Sequence, residues 1–337
     1  MILLLLFCKK KKKPRPWGAA LGQSFGGFCL MTYLSIIPAP PKICLFTGGI
    51  APMLTPVDDV YSALWDRVKE RNLKYYERYP ADVEVVKTIV KRLERDPPQL
   101  PSGGVLTVER FLQLGIGLGG SPSAFASLHS LLNSAFVSDE SDILARSFLK
   151  QFDFIQSFDD APIYFLLHES IYADGTQHSN PTKWSAHRTL ESQKQTSNLF
   201  RYDYTSKLAS DEIPTMFSAE MVFPWMAEGA YAELSGFGMR MLANALAAKS
   251  DWGPLYNSAN MRSVLGSRTS TAAAAVYYDD LYVDFNACMK VCQRGGPLEK
   301  CKVWMTNDYQ HSGLRDDGAT IFNKLLGMAK GSVGTPS

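Results

Sequence analysis

The spacing of apolar and polar positions divides the chain into three regions. In the first, the apolar stretch Trp17-Gly18-Ala19-Ala20-Leu21 leads into the glycine-rich turn Gly22-Gln23-Ser24-Phe25-Gly26-Gly27, followed by an apolar run from Phe28 to Ile36. Ile43-Cys44-Leu45-Phe46 then precedes Thr47-Gly48-Gly49. Strand, turn, helix and strand at this spacing predict one βαβ unit, which brings its two strands together in parallel. Pro38, Pro40 and Pro41 end the helix, because proline has no N–H with which to continue the hydrogen-bond ladder.

From residue 51 to 240 the period becomes helical. Thr55-Pro56-Val57-Asp58 has the marks of a helix start, with threonine at the cap, proline at the first helical position and an acid in the first turn. Val60, Leu64, Val68 and Tyr75 make one apolar stripe, and Val86, Ile89, Val90 and Leu93 make another that Pro97-Pro98 stops. Further helices are predicted around 124–135, 141–153, 160–172 and 218–248. Past this region the α/β character returns. Ala272 to Tyr278 reads as a buried parallel strand followed by Asp279-Asp280, and Val303-Trp304-Met305-Thr306 as another before Asn307-Asp308-Tyr309-Gln310-His311. Phe322 to Met328 reads as a closing helix. The expected organisation is an α/β domain built from 17–50 and 241–337, a helical cap over 51–240, and a leader over 1–16.

Composition narrows the function classes. A length of 337 residues suits about two domains. With 46% hydrophobic and 20% charged residues, collagen-like, coiled-coil and disordered chains are excluded. The longest apolar run, Met1 to Cys8, is far shorter than the roughly 20 residues of a membrane-spanning helix. The net charge of +2 hides an uneven distribution: removing the six charges of Lys9 to Lys13 and Arg15 leaves −4 for the rest. A mildly acidic body argues against a nucleic-acid partner. The leader places its apolar stretch before its charges, the reverse of a secretory signal. Six cysteines in this length do not form a dense disulfide framework. A cytoplasmic location is expected, with an organelle as the alternative.

Gly22-Gln23-Ser24-Phe25-Gly26 matches G-x-S-x-G, in which serine sits on a strained strand-to-helix turn and needs small neighbours. Here the pattern follows an apolar strand and opens an apolar helix, the context that makes Ser24 a candidate nucleophile. A serine hydroxyl needs a base, and the base needs an orienting acid. His311 is the one histidine of five that follows both the elbow and an acid-bearing strand; His129, His168, His178 and His187 fall in the helical region. For the acid, Asp279, Asp280 and Asp284 compete, and Asp280 is preferred for its turn position just past the strand.

Six stretches in order, LGQSFGGFCLMTYLS, FTGGIAP, LLHESIYADG, FSAEMVFPWM, VYYDDLYVDF and MTNDYQHSGLR, resemble the prolyl aminopeptidase (proline iminopeptidase) family of serine peptidases, particularly its larger eukaryotic branch. The resemblance runs from Trp17 to about Met328 and implies an α/β-hydrolase fold with a helical cap, no cofactor, and release of an N-terminal residue, typically proline, from a peptide. It implies Ser24 as nucleophile, Asp280 as orienting acid, His311 as base and the Phe25 backbone N–H as an oxyanion donor. It also implies that glutamates of the cap receive the substrate's free α-amino group, with Glu220 the better match and Glu169 the weaker. A carboxylate in a partly desolvated pocket would select chain ends over internal bonds by a charge-assisted contact. Phe223 and Trp225 are candidate walls for a pyrrolidine ring, with packing of the cap core as the alternative.

The sequence departs from the family in one respect. A second oxyanion donor comes, in the family, from an H-G-G-P-G type loop well before the elbow, and nothing of that type precedes Ser24; Thr47-Gly48-Gly49 follows it. The expectation is a sheet lacking its early strands and an activity impaired by the lost donor, with a general esterase or amidase, or an inert remnant, as the alternatives. Three other patterns carry less. Gly115-Ile116-Gly117-Leu118-Gly119-Gly120, with Asp139 downstream, fits a dinucleotide fingerprint but follows a predicted helix, Val108 to Leu112, and is expected to be a flexible loop. His168-Glu169-Ser170-Ile171-Tyr172 lacks the second histidine of a zinc motif. Cys288, Cys292 and Cys301 have no fourth ligand in pattern and are expected to be buried thiols, so no metal is implied.

Overall fold

The computed structural model describes residues 18–333 except Pro38, Asp139, Gln156, Ser157, Asp159, residues 176–180, Asp211 and Arg268. The predicted leader, Trp17 and the positions of Asp139 and His178 lie outside the described residues. In chain order the elements are β1 (Ala19–Gln23), α1 (Phe25–Ile36), β2 (Ile43–Thr47), α2 (Val57–Arg78), α3 (Asp82–Arg95), α4 (Val108–Leu112), α5 (Ala124–Asn133), α6 (Arg146–Ile155), α7 (Pro162–Leu167), α8 (Ser185–Thr196) and α9 (Phe237–Ala248). They continue with α10 (Ser258–Gly266), β3 (Thr271–Tyr277), α11 (Phe285–Cys292), β4 (Lys302–Thr306), α12 (Gly313–Asp316) and α13 (Gly318–Lys330). The chain divides into two compact units, one from the described residues of 1–60, 171–180 and 250–337, the other from 61–170 and 181–249.

The first unit is a parallel sheet with strands in the order β1-β2-β3-β4. Central β3 is an uninterrupted apolar run, with Ala272 to Tyr277 all buried, as a strand covered on both faces requires. On one face Leu45, Ala273, Ala275 and Tyr277 pack against Ile321, Leu325, Met328 and Ala329 of α13. The alanines let α13 lie close to the sheet, and burying its large side chains contributes about 1.5–3 kcal/mol each. Helix α1 packs on β1 and β2 with α10 beside it. The edge strands are less covered: β1 alternates half-buried and buried residues, and Met305 of β4 is exposed.

The turn after β1 is tighter than its glycines predict. The strand runs on to Gln23 and α1 begins at Phe25, so Ser24 alone makes the corner and Gly26 and Gly27 are helical. Glycine's low helix propensity places this pair in a turn; tertiary packing overrides it. A Cβ on Gly27 would lie 2.0 Å from the Gly49 carbonyl oxygen, and one on Gly49 would lie 2.4 Å from that of Ser24. The first turn of α1 thus presses backbone to backbone on the loop after β2.

The second unit is helical, built around Trp65, Tyr75, Phe111, Phe148 and Phe217, all buried. The Asn72 side chain of α2 donates to the Phe217 carbonyl at 3.0 Å and accepts from the Phe217 N–H at 2.8 Å, fixing the segment that leads to Glu220. Two expectations fail here. The span 218–248 is not one helix: a 3-10 turn covers Pro224–Ala227 and α9 begins only at Phe237, because Pro224 cannot extend a helix from its N-terminal side and Gly229 and Gly236 take φ of 112° and 152°. The glycine run 115–120 is not a loose loop either. Gln113–Gly119 is a 3-10 helix, and a Cβ on Gly115 would lie 1.8 Å from the Ser218 carbonyl oxygen, so Gly115 serves close packing. Among the described residues no helix is long and apolar enough to cross a membrane.

Two predictions follow from this packing. Gly27→Ala forces the α1 backbone off Gly49 and should lower the unfolding free energy in urea by about 2–3 kcal/mol; an unchanged midpoint would refute the close contact. Burial pushes the Cys44 thiol up to about 12 from 9.0. Its neutral form is therefore favoured in the fold, a contribution complete below pH 9 and lost as pH rises toward 12, at about 1.4 kcal/mol per pH unit. Urea titrations at pH 8 and pH 11 should show that fall, and Cys44→Ala should show a shallower one.

Candidate active site

Ser24 is held in an uncommon conformation. Its φ of 53° and ψ of −132° lie where a residue with a side chain costs about 1–3 kcal/mol. The cost is offset by its surroundings: the Ser24 N–H donates to the Thr47 carbonyl at 3.1 Å, and the Ser24 carbonyl accepts from the Gly27 N–H at 2.8 Å. Cβ is thereby turned out of the strand-to-helix corner at the C-terminal edge of the sheet, where the loops after β3 and β4 also emerge. Phe25 is the first residue of α1, so its N–H has no acceptor within the helix.

The loops after β3 and β4 bring Asp280 and His311 to Ser24. The carboxylate of Asp280 accepts from His311 Nδ1 at 2.9 and 3.0 Å through its two oxygens, and His311 Nε2 is 2.9 Å from Ser24 Oγ. With Nδ1 donating to a carboxylate, Nε2 is the unprotonated ring nitrogen, and the serine hydroxyl donates to it. Asp280 is itself fixed: its Oδ1 accepts from the backbone N–H groups of Tyr282 at 2.8 Å and Val283 at 3.0 Å. The Tyr282 ring lies over the imidazole at a centroid distance of 4.4 Å. Asp280 and His311 are buried, so their charge interactions act away from bulk water. Beneath the pair Gly48 has φ 51°, and a Cβ there would sit 3.1 Å from His311 Nδ1. Tyr277, whose hydroxyl pairs with Thr47 Oγ1 at 2.6 Å, has its phenol pushed by burial up to about 12. Of the competing acids, Asp284 instead caps α11 by accepting from the Ala287 N–H at 2.8 Å.

The remaining candidates belong to the helical unit. Glu220 is half-buried in the segment before the Pro224 turn. Its Oε1 accepts a short hydrogen bond from the Tyr164 hydroxyl, and its backbone carbonyl accepts from His168 Nε2 at 3.0 Å. Glu169 is buried, and its Oε1 accepts from the Ala186 N–H in the first turn of α8 at 2.9 Å. Burial raises its carboxyl above the ordinary value, and the hydrogen bonds from the start of α8 oppose that shift. Trp225 stacks on Phe223 at 5.6 Å and on Tyr231 at 6.4 Å. With Trp65, Phe200 and Phe223 it walls a cavity of about 170 Å³, into which Glu109 and His187 also face. Burial lowers the His187 pKa, leaving a neutral ring at neutral pH. Among the described residues no group of three or more His, Cys, Asp or Glu is placed to hold a metal ion.

Three side chains that hold these candidates were given no such role from the sequence. Tyr164 and His168 hold Glu220 from α7 and its C-terminal end; their i, i+4 spacing on one helix face was a usable signal. Gln23, one residue before the elbow serine, donates from Nε2 to the His311 carbonyl at 2.9 Å. Its signal was a polar residue at the strand position where alternation calls for an apolar one.

A parallel sheet with a serine on its strand-to-helix elbow, faced by a histidine and an aspartate from later loops, is consistent with the α/β-hydrolase architecture. No family model matches the chain. It is 35% identical over 311 residues to the proline iminopeptidase of Aeromonas sobria, covering 92% of this chain and 66% of that protein. To the proline iminopeptidase aneH of Aspergillus aculeatus it is 28% identical over 320 residues, covering 94% of this chain and 64% of that protein. The chain belongs to the prolyl aminopeptidase (proline iminopeptidase) family. It spans just under two thirds of the length of these two curated relatives.

The Asp280–His311 geometry is open to direct observation. A buried Nδ1–H donated to a carboxylate should give a strongly deshielded, slowly exchanging imidazole proton in a one-dimensional proton NMR spectrum. Asp280→Asn should abolish it, and a resonance that persists in that variant would contradict the assignment.

Proposed function

We propose that this chain acts as a serine aminopeptidase that releases proline, or a residue of similar shape, from the N-terminus of a peptide. His311 removes the Ser24 proton as Oγ attacks the carbonyl of the first residue, Asp280 holds the ring and stabilises the imidazolium, and the Phe25 N–H donates to the developing oxyanion. The imidazolium then protonates the leaving amine, and the C–N bond breaks to give an acyl-enzyme on Ser24. Water, deprotonated by His311, releases the amino acid and restores the hydroxyl. In this reading residues 51–240 act as the cap, with Glu220 accepting the substrate's α-ammonium, Glu169 adding negative charge and Trp225 packing on the ring. The observation that carries the reading is the unbroken hydrogen-bonded run from Asp280 through His311 to Ser24, in a chain whose curated relatives are named proline iminopeptidases.

A prolyl arylamide and its N-acetylated counterpart test it. The free amine should be cleaved and the acetylated compound spared, with Ser24→Ala inactive. Glu220→Gln should raise KM for the free amine about tenfold or more while lowering kcat less, since a charge-assisted contact is worth about 1.5–3 kcal/mol. Glu169→Gln should act more weakly, because its Oε1 is already committed to α8. Equal cleavage of both compounds would point instead to a general amidase, and a folded but inert chain would refute the proposal.

A further inference from the structure

We infer that Gln23 is a positioning residue for the base, resting on the reading of Ser24, Asp280 and His311 given above. In the sheet order β1-β2-β3-β4 the nucleophile follows one edge strand and the histidine follows the other. Three strand spacings separate them, about 14 Å. The loop after β4 must therefore lean across the ends of β3 and β2 to bring His311 to Ser24. Besides the pair His311 makes with Asp280 on the loop after β3, the bonds of the loop after β4 include local ones: Thr306 Oγ1 with Asp308, the Tyr309 hydroxyl donating to Asp317, and the Gly313 N–H donating to the Gln310 carbonyl. Hydrogen bonds to both Ser24 and Gln23 tie it to the far edge. One, from Ser24 to the imidazole, must break and re-form in every catalytic cycle. The other, from Gln23 Nε2 to the His311 carbonyl at 2.9 Å, involves no reacting atom and can persist throughout.

The position of Gln23 suits this task. It pairs in register with Thr47 and, through it, with Ala275, two residues beyond Leu21 on the face that packs against the α13 cluster. It is the last residue of β1, so its backbone is held by the sheet while its amide reaches the loop. Asp280 fixes the rotation of the ring through Nδ1, and Gln23 fixes the main chain that carries it. Misplacing a reacting group by as little as 1 Å costs about 10²-fold in rate.

The test uses Gln23→Met, which keeps the length and packing of the side chain and removes the donor. The readout is the second-order rate at which a fluorophosphonate labels Ser24, a reaction that needs an activated serine and no aminopeptidase specificity. Labelling should slow about tenfold, and kcat for the prolyl arylamide should fall by a similar factor with KM within about twofold, while the thermal midpoint stays at the wild-type value. Wild-type labelling by the variant overturns the inference alone; no labelling of the wild-type chain overturns the triad reading and this one with it. If Gln23→Met does not fold, Gln23→Glu, of the same shape with a carboxylate facing the carbonyl, is read the same way: slower labelling supports the role, and an unchanged rate removes it.

Discussion

The contact between His311 Nε2 and Ser24 Oγ, 2.9 Å long and joining residues 287 positions apart, is the interaction on which the other features of the sheet unit bear. It needs Ser24 turned out of its corner, which requires the helix to start one residue later and its first turn to lie against Gly49. That approach needs glycine at 27 and at 49, because either Cβ would fall within about 2.4 Å of a carbonyl oxygen. It also needs the imidazole in one tautomer, which Asp280 sets through Nδ1 while two backbone N–H groups hold the carboxylate. Strain at one residue is thus balanced by contacts from four separate segments.

The same constraint explains the composition of the strands. A sheet covered on both faces can bring its C-terminal loops together only if its helices lie close, and β3 meets that need with four alanines in a row. The edge strands β1 and β4 are less covered, and Ser24 and His311 follow them, while Asp280 follows the central β3. The helical unit is organised differently, with polar side chains pinning extended segments: Asn72 holds Phe217, and Tyr164 and His168 hold Glu220.

Much of this was legible in the sequence because it is local. The βαβ unit, the alanine strand and the order of serine, acid and histidine follow from period, turn residues and spacing. What escaped were features set by partners far along the chain. Gly27 reads as a turn residue because the Gly49 backbone it presses against lies more than twenty positions away. The segment 218–248 read as helix because its apolar spacing outweighed Pro224 and two glycines. The glycine run after α4 read as mobile because nothing local reveals Ser218 lying against Gly115. Among the three acids after β3, turn position favoured Asp280, but nothing local revealed that Asp284 caps a helix instead.

The central claim is that Ser24 is an activated nucleophile in a site that recognises a free N-terminal proline. It is tested most directly by treating the whole chain with a fluorophosphonate and mapping the adduct by tandem mass spectrometry, in the presence of prolinamide or N-acetylprolinamide. The account predicts a single adduct on Ser24, slowed by prolinamide and not by the acetylated compound. An adduct on other serines, none at all, or equal protection by both compounds would contradict it.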